Sequence, residues 1–441
     1  MFDRYANIIK TIETLGVFPD KMPSIEPTKI ALEKIGYFKS QFYNSYLLAP
    51  KKVILVAGTN GKGSVCATLE ALLLSAGKRT FFYSSPHLVD TTERFRVNGN
   101  DVSKEFFCNA YETIIEKFDA QLQLTHFEIL TLIAAQMVMQ LDPDVVILEV
   151  GLGGIFDATN AIPHGLAVIT KLGFDHELFL GRSLGEIAKN KFGIVHPISK
   201  TNPIAMTVVH TKFSEEAIYK LADETKKKTN STWIESPPYD SVVEKGSEPS
   251  WFIESKWGRA EINLKGARAA ENANLALAVF EELGFDPKAH LLALTRIRWP
   301  GRMQKRVFNQ REIFLSGDHN VQGIRSLLEI LDQFNYDKIH ILAGFSKDKD
   351  YNEMLELLSK VPRANIYLTQ TSFKPRLLNE YGSWNNKVKA IDSNPKKLLE
   401  NICSQANKKD LILVTGSLYL VGEIFGATSS ALLPNELELH Q

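Results

Sequence analysis

V-I-L-V-A-G-T-N-G-K-G-S-V, Val53 to Val65, is the stretch that decides the reading of this chain. Val53 to Ala57 is a short unbroken apolar run rich in β-branched residues, which predicts a buried parallel strand. The run breaks at Gly58 and passes through a glycine-rich loop. An apolar-periodic helix follows from about Ser64. A strand, a glycine loop with Lys-x-Ser and a helix, in that order, can hold the phosphates of a nucleotide. Backbone N–H groups point into such a loop, the helix N-terminus adds positive potential, and Lys62 supplies a point charge. Ser64 offers a hydroxyl to a magnesium ion. The loop is shorter before its lysine than the common G-x-x-x-x-G-K-[ST], and an extra glycine, Gly63, follows the lysine. Gly58, Thr59, Asn60, Gly61, Lys62, Gly63 and Ser64 are therefore the candidate nucleotide-binding residues.

The 441 residues suffice for two or three domains. Lys+Arg and Asp+Glu each number 51, so the formal net charge is zero, which argues against a broad nucleic-acid surface. Cys66, Cys108 and Cys403 match no metal or disulfide spacing and read as small core residues in a reducing compartment. No apolar run reaches membrane-spanning length, and the N-terminus lacks a signal-peptide core. A cytoplasmic protein without membrane contact is expected.

Helices are expected over Tyr5 to Leu15 and Pro27 to Phe42, with Pro19, Pro23 and Pro27 separating them. From Val53 on, strands and helices alternate. Phe81 to Ser84, Asp144 to Val150 and Leu166 to Leu172 read as strands. Ser103 and Thr125 read as caps of helices running to Phe118 and Gln140, and Ser183 with Glu186 as a capping box opening a helix through Lys191. The pattern predicts an α/β fold with a parallel sheet covered on both faces. Lys226 to Lys265 reads as a small antiparallel β excursion on this first domain, followed by a helix from Ala269 to Leu283. Trp299-Pro-Gly-Arg302 is a stiff turn suited to a linker, which divides the chain into domains 1–298 and 299–441. The second domain repeats the alternation. Its strands are expected at Glu312 to Leu315, Ile339 to Ala343, Asn365 to Leu368 and Leu411 to Thr415. Its helices are expected at Gln322 to Phe334, Tyr351 to Lys360, Pro395 to Ala406 and Leu418 to Phe425, with a frayed tail after Gly426.

In an open α/β sheet, ligands gather at the carboxyl ends of the strands. Four candidates sit there: the Gly58–Ser64 loop, Glu149, Asp175-His176, and Ser84-Ser85-Pro86-His87. A carboxylate ending a strand beside a phosphate loop is placed to bind magnesium, which makes Glu149 a metal candidate. The plainer alternatives are a surface or cap carboxylate for Glu149, a turn histidine for His176, and structural roles for Ser85 and His87. Lys191 reads by itself as a helix-surface lysine.

Taken together the motifs resemble the folylpolyglutamate synthase and dihydrofolate synthase family, the folate branch of the Mur ligases. The carriers, in the family's order, are G-T-N-G-K-G-S (Gly58–Ser64), S-S-P-H-L (Ser84–Leu88), F-E-x-x-T (Phe127–Thr131) and E-V-G-L-G-G-x-x-D-A-T-N (Glu149–Asn160). After these come D-H (Asp175-His176), I-A-x-x-K-x-G-I (Ile187–Ile194), W-P-G-R (Trp299–Arg302), K-D-K-D-Y (Lys347–Tyr351) and T-G-S-L-Y-L-V-G-E (Thr415–Glu423). The resemblance implies an N-terminal P-loop ATPase domain and a C-terminal Rossmann-like domain, with ATP between them. It implies an ATP-dependent ligase that phosphorylates a pteroate or folyl-glutamate carboxylate, after which the amine of L-glutamate attacks the acyl phosphate. By resemblance Lys62 holds the β- and γ-phosphates, Ser64 and Glu149 bind one magnesium, and His176 helps bind a second. Lys191 matches a carbamylated lysine, Asn272 and Arg302 match nucleotide contacts, Ser85 and His87 match substrate contacts, and His319 and Ser417 match residues facing nucleotide and glutamate. The resemblance also implies a monomer.

Several positions depart from the family pattern. D-G-A-H-N-P is here Ser316-Gly-Asp-His-Asn-Val321, with Asp318 two residues beyond the missing acid. Positions two apart at a strand end point the same way, so Asp318 is expected to substitute for it in part. Ala269 and Arg268 replace a glutamine and its histidine neighbour, Ile155 replaces an arginine, and Asn190 replaces a glutamate. Two alternatives remain beside the folate ligase. One is a peptidoglycan-precursor Mur ligase, disfavoured because only 57 residues precede Gly58. The other is a catalytically weak nucleotide-binding paralogue with a regulatory or interaction role.

Overall fold

The computed structural model describes residues 2–16, 24–117, 123–245, 248–347 and 349–430. The end of the helix expected to reach Phe118, the positions Pro19 and Pro23, Asp348 of the K-D-K-D-Y motif, and the tail from residue 431 lie outside the described residues. The chain divides into two compact units. One holds Met1–Asp240, Ile253–Glu261 and Ala269–Arg298; the other holds Ser241–Phe252, Ile262–Arg268 and Trp299–Gln441.

The first unit is built on an eight-stranded sheet of β1 (Val53–Ala57), β2 (Thr80–Tyr83), β3 (Phe95–Val97), β4 (Asn100–Asp101), β5 (Val145–Glu149), β6 (Leu166–Ile169), β7 (Thr207–His210) and β8 (Thr232–Glu235). Their spatial order is β4-β3-β2-β5-β1-β6-β7-β8. β1 lies between β5 and β6, parallel to both, with Val56 opposite Glu149 and Ala57 opposite Ile169. All five residues of β1 are buried, as a strand covered on both faces requires. The helix Lys62–Ser75 that follows is buried on most sides, with Val65, Leu69, Leu72 and Leu73 in the core. Thr125 and Glu128 form the capping box of the helix His126–Leu141, and Ser183 and Glu186 that of Leu184–Phe192.

Three local expectations are corrected. Pro27 to Phe42 is not one helix: Glu26–Lys34 stops at Gly36, whose φ of 82° leaves the helical region, and Ser40 caps a new helix, Gln41–Leu48, by accepting from the Tyr43 amide at 3.1 Å. β6 ends at Ile169, because Thr170 to Leu172 turn away to meet the glycine loop. The β excursion begins later than Lys226. Glu216–Thr229 is a helix, and β8 is a parallel edge strand on β7, with Trp233 opposite Val208. The alternation around Trp233 suits a half-exposed edge strand as well as a hairpin, so periodicity alone did not separate them. The excursion proper is a three-stranded sheet of β9 (Tyr239–Glu244), β10 (Ser250–Ser255) and β11 (Gly258–Ile262). Ser241–Phe252 and Ile262–Arg268 group with the second unit rather than the first. Trp251 accordingly sits in that unit's core, 6.1 Å from the ring of Phe334.

The second unit carries β12 (Gln304–Phe308), β13 (Arg311–Leu315), β14 (Ile339–Ala343), β15 (Ala364–Leu368), β16 (Ala390–Ile391), β17 (Leu411–Thr415) and β18 (Ser429–Ser430), in the order β16-β15-β14-β17-β13-β12-β18. The stretch from β16 to β13 is parallel, and β12 closes antiparallel against β13. Its core includes Leu327, Ile341, Leu355 and Leu413.

Gly58 stands at φ 152°, and a Cβ there would overlap the hydroxyl of Thr170. Gly58→Ala is therefore expected to lower stability by about 3 kcal/mol, backbone strain and overpacking together. A urea midpoint indistinguishable from wild type would refute this account of the strand end.

Candidate active site

The parallel register brings the ends of β1, β5 and β6 side by side, and the site is built on those ends. The glycine loop is tied to the segment after β6. Thr170 Oγ1 donates to the Asn60 carbonyl at 2.7 Å, and the amides of Thr59 and Asn60 donate to the Lys171 carbonyl at 3.0 and 3.3 Å. Thr59 Oγ1 donates to the Gly173 carbonyl at 2.9 Å and accepts from the Gly173 amide at 3.0 Å. The helix Lys62–Ser75 starts after Gly61 with no side-chain cap, so the helix dipole and the leading amides face the loop. Lys62 Nζ folds over the loop and donates to the carbonyls of Gly58, at 3.3 Å, and Thr59, at 3.5 Å. Ser64 is half-buried in the first turn. Asn272, on the buried helix Ala267–Glu282, packs against Gly61 so closely that any side chain at Gly61 would strike its amide.

Lys191 is not on the surface. It is 4% exposed, and its Nζ donates to the Gly58 carbonyl at 2.9 Å. Burial, and then the neighbouring Lys62 charge, lower its pKa to about 7; Asp175 and Asp157 act in the opposite direction. The backbone around it is held by the Gly151–Gly154 loop. A Cβ on Gly154 would lie 2.8 Å from the Asn190 carbonyl and 3.0 Å from Lys191 Cα, and the Ile155 amide donates to the Asn190 carbonyl at 3.0 Å. Asp157 fixes that loop. It accepts from the amides of Leu152 and Thr159 at 2.9 and 3.1 Å, while burial pushes its carboxyl pKa up.

Glu149 is 5% exposed at the end of β5 and accepts from the Ser85 amide at 3.2 Å, which joins two of the candidate segments. The Ser85–Pro86 bond is cis. Glu93 holds the rest of that loop by accepting from the amides of Leu88, Val89 and Asp90. His87 Nδ1 accepts from Arg94 Nε at 2.9 Å; burial and then the Arg94 charge lower its pKa to about 3, so it is neutral. His126 is lowered in the same way to about 4. The Phe127 ring lies against Gly151, with Cζ 2.7 Å from where a Cβ would stand. His176 stands at the N-cap position of the short helix Glu177–Leu180 without a side-chain capping bond, left-handed and exposed, with Nε2 3.9 Å from Asp175 Oδ1.

The second unit forms its own cluster. Ser316 Oγ donates to Asp318 Oδ2 at 2.6 Å, His319 Nδ1 lies 2.9 Å from the Gly317 carbonyl, and Asn320 caps the helix Val321–Leu331. The Gly416 amide donates to the Asp318 carbonyl at 3.1 Å, which brings Ser417, the buried cap of the helix Leu418–Phe425, to the same strand ends. The Gly317 amide donates to the Gly301 carbonyl at 2.8 Å, one residue before Arg302. Arg268 Nη2 donates to the Gln322 carbonyl at 2.5 Å. K-D-K-D-Y has a visible local role: Asp350 caps the helix Tyr351–Ser359, and Lys347 lies 3.8 Å from Glu380.

The donor chemistry near the loop fits magnesium. Ser64 and Glu149 offer a hydroxyl and a carboxylate oxygen beside the phosphate loop, and magnesium commonly takes one or two carboxylates together with phosphate oxygens and water. Among the described residues no group of three or more His, Cys, Asp and Glu forms a preformed metal cage. Thr170, Asp157 and Arg94 were not singled out from the sequence. A hydroxyl ending an apolar strand run and the D-x-T spacing of a side-chain-capped turn were the available signals for the first two.

The Mur ligase middle domain model matches residues 56–280, and the Mur ligase glutamate ligase domain model matches residues 301–418. The dihydrofolate synthase/folylpolyglutamate synthase of Buchnera aphidicola is 34% identical over 379 residues, covering 83% of this chain and 86% of that protein. The Yersinia pestis bifunctional folylpolyglutamate synthase/dihydrofolate synthase, solved with AMPPNP and Mn, is 28% identical with a TM-score of 0.79, covering 96% of this chain and 97% of that one. E. coli FolC, solved with DHPP and ADP, is 25% identical with a TM-score of 0.79 and the same coverage. The P-loop, the strand-end carboxylate and the two domain matches in sequence order place this chain in the Mur ligase family, in its dihydrofolate synthase/folylpolyglutamate synthase branch.

Proposed function

We propose that the chain is an ATP-dependent ligase that adds L-glutamate to dihydropteroate, to folate glutamates or to both, with release of ADP and phosphate. The observation that carries the reading is the Lys62–Gly58–Lys191 contact set beside Glu149: a phosphate loop with a strand-end carboxylate and a buried amine of lowered pKa. The relatives named for this activity, and the neighbours solved with ADP, AMPPNP, Mn and DHPP, support it.

A carboxylate is a poor electrophile, so it must be activated before an amine can attack. Transfer of the γ-phosphoryl group to the pterin-linked carboxylate joins two anions, and the protein's contribution is positioning and charge neutralisation. In this reading the loop amides and Lys62 bind the β- and γ-phosphates, and Asn272 borders the nucleotide. Ser64 and Glu149 would hold magnesium, which when bound supplies charge neutralisation for the phosphates; His176 would serve a second ion. Ser85 and His87 line the substrate side. Arg302, Asp318, His319 and Ser417 serve nucleotide and glutamate from domain 299–441, while domain 1–298 holds the phosphate loop. A guanidinium suits Arg302 because it stays charged and binds phosphate through two donors.

Lys191 is assigned as the carbamate-forming lysine. The step is R–NH2 + CO2 giving R–NH–COO⁻ and H⁺, and it needs the neutral amine that a pKa of about 7 provides. The product is a carboxylate on a long arm, suited to an oxygen-preferring cation. The reading also has the protein working as a cytoplasmic monomer without nucleic acid. The zero net charge supports the last point only, and among the described residues no helix is long and apolar enough to cross a membrane.

ADP release from ATP, magnesium and glutamate tests the function, run with dihydropteroate, with tetrahydrofolate and with neither. Stimulation by a pterin is expected. None by either would favour the regulatory paralogue or a moved substrate.

Lys62→Ala is expected to lower turnover by about 10²–10³ at saturating ATP, as loss of a transition-state charge donor does. Near-normal turnover would remove Lys62 from the phosphate site. With ¹³C-bicarbonate, a carbamate NMR signal is expected to rise with pH through about 7 in the wild type, because the amine is protonated below that point. Lys191→Ala should lack the signal and lose activity that short carboxylic acids, but not bicarbonate, partly restore. A fully active Lys191→Ala enzyme would show the carbamate to be dispensable.

A further inference from the structure

Away from the phosphate loop the first unit contains a buried ion pair that the reaction does not explain. Arg96 Nη2 lies 2.6 Å from Glu70 Oε2, with side chains 8% and 1% exposed. Glu70 is on the phosphate-loop helix Lys62–Ser75, and Arg96 is on β3. The turn after β3 closes around the pair: the Gly99 amide donates to Glu70 Oε1 at 3.2 Å, and Arg96 Nη2 donates to the Gly99 carbonyl at 3.4 Å. The Arg96 guanidinium also stacks 5.5 Å from the Phe82 ring centre. A buried pair is a weak device for stability, since apolar side chains of the same volume often serve as well. What this pair adds is a remaining donor: Arg96 Nη1 donates to the Arg298 carbonyl at 2.8 Å.

Arg298 is where the first unit ends, and Trp299-Pro-Gly-Arg302 follows. The linker has a second attachment three residues on, where the Gly317 amide of the second unit holds the Gly301 carbonyl. Only Trp299 and Pro300 lie between the two attachments. Pro300 has its φ fixed, and Trp299, preceding a proline, is restricted to extended backbone. The backbone of these two residues is restricted locally, and Gly301 (φ 73°) and Met303 (φ 49°) are left-handed.

We propose that Arg96 is a positioning residue for the ligase reaction: locked by Glu70, it fixes the base of the linker that carries Arg302. The assignment of Arg302 rests on the proposed ligase function; the linker attachment itself does not. Arginine suits the position, because its guanidinium places Nη2 in an ion pair with Glu70 while Nη1 donates to the Arg298 carbonyl. A lysine could keep the charge pair but, as a point charge, would give up the carbonyl.

Limited trypsin digestion of the full chain, with steady-state kinetics, tests this in Arg96→Lys and in Glu70→Gln. In Arg96→Lys, cleavage within 298–303 should speed up about tenfold relative to other sites. Its kcat should fall about tenfold, with the KM for the pterin substrate unchanged. Glu70→Gln, which keeps the volume and the Gly99 hydrogen bond, should shift both readouts the same way by a smaller factor. Unchanged cleavage in the folded Arg96→Lys variant would overturn the proposal, since a purely structural charge pair is satisfied by lysine. Faster linker cleavage with unchanged kcat would overturn the positioning role, and cleavage accelerated evenly along the chain would show that the pair holds the fold instead. The digestion arm keeps its meaning even if the wild type proves not to be a ligase.

Discussion

The parallel pairing of β1 with β5 on one side and β6 on the other is the constraint on which the site depends. Parallel strands end on the same edge, so the residue after each strand arrives at the same place. From β1 that residue is Gly58, from β6 Thr170, and β5 itself ends in Glu149. The hydroxyl of Thr170 then needs a carbonyl, and Asn60 supplies it. The loop conformation thus follows from the sheet. Gly58 is required because the hydroxyl of Thr170 occupies the volume a side chain would need.

The same edge explains why Lys191 is buried. Its helix is held down by backbone contacts from Gly154 and Ile155, and these depend on Asp157 tying the loop from inside. Gly153 and Gly154 let the helix come close enough for an amine to reach the Gly58 carbonyl. Burial alone disfavours an ammonium, and here a second ammonium, Lys62, is adjacent. The helix register that looked like a solvent face is covered by a loop rather than by another helix, and helical periodicity carries no information about loops.

That contrast describes what was legible. β1, β2, β5, β6, β13, β14, β15 and β17 and most helices were readable because apolar runs, capping residues and glycines act locally, whereas β3, β4, β7, β12, β16, β18 and the helix Glu216–Thr229 were not. Thr125 capped its helix, and Ser183-x-x-Glu186 formed a capping box as its spacing required. The strand, glycine loop and helix around Gly58–Ser64 were readable for the same reason. The links between segments were not: Thr170 to Asn60, Arg94 to His87, Phe127 on Gly151 and Asn272 against Gly61 depend on which strands become neighbours. The edge strand β8 was misread because an edge strand and a hairpin share one alternation. Ser316 and Asp318 lie between these cases. Both lie just past the end of β13, and the 2.6 Å hydrogen bond from Ser316 Oγ to Asp318 Oδ2 brings their side chains together there.

The replacement of the usual glutamate by Asn190 can be weighed in the same terms. If a neighbouring carboxylate were what held Lys191 in place, an asparagine there would release it. Instead the Asn190 carbonyl is fixed by the Ile155 amide, and its side-chain amide packs on Gly153, so placement comes from backbone and packing. What the substitution alters is charge. Asp175 and Asp157 are the acids that favour a charged Lys191, and they do not offset burial and Lys62. Two amines then share one acceptor, the Gly58 carbonyl, at 2.9 and 3.3 Å. The Lys62 charge beside a buried Lys191 disfavours the ammonium form of Lys191. A less acidic neighbourhood leaves more neutral amine at Lys191, so the asparagine is compatible with the carbamate chemistry proposed for that residue.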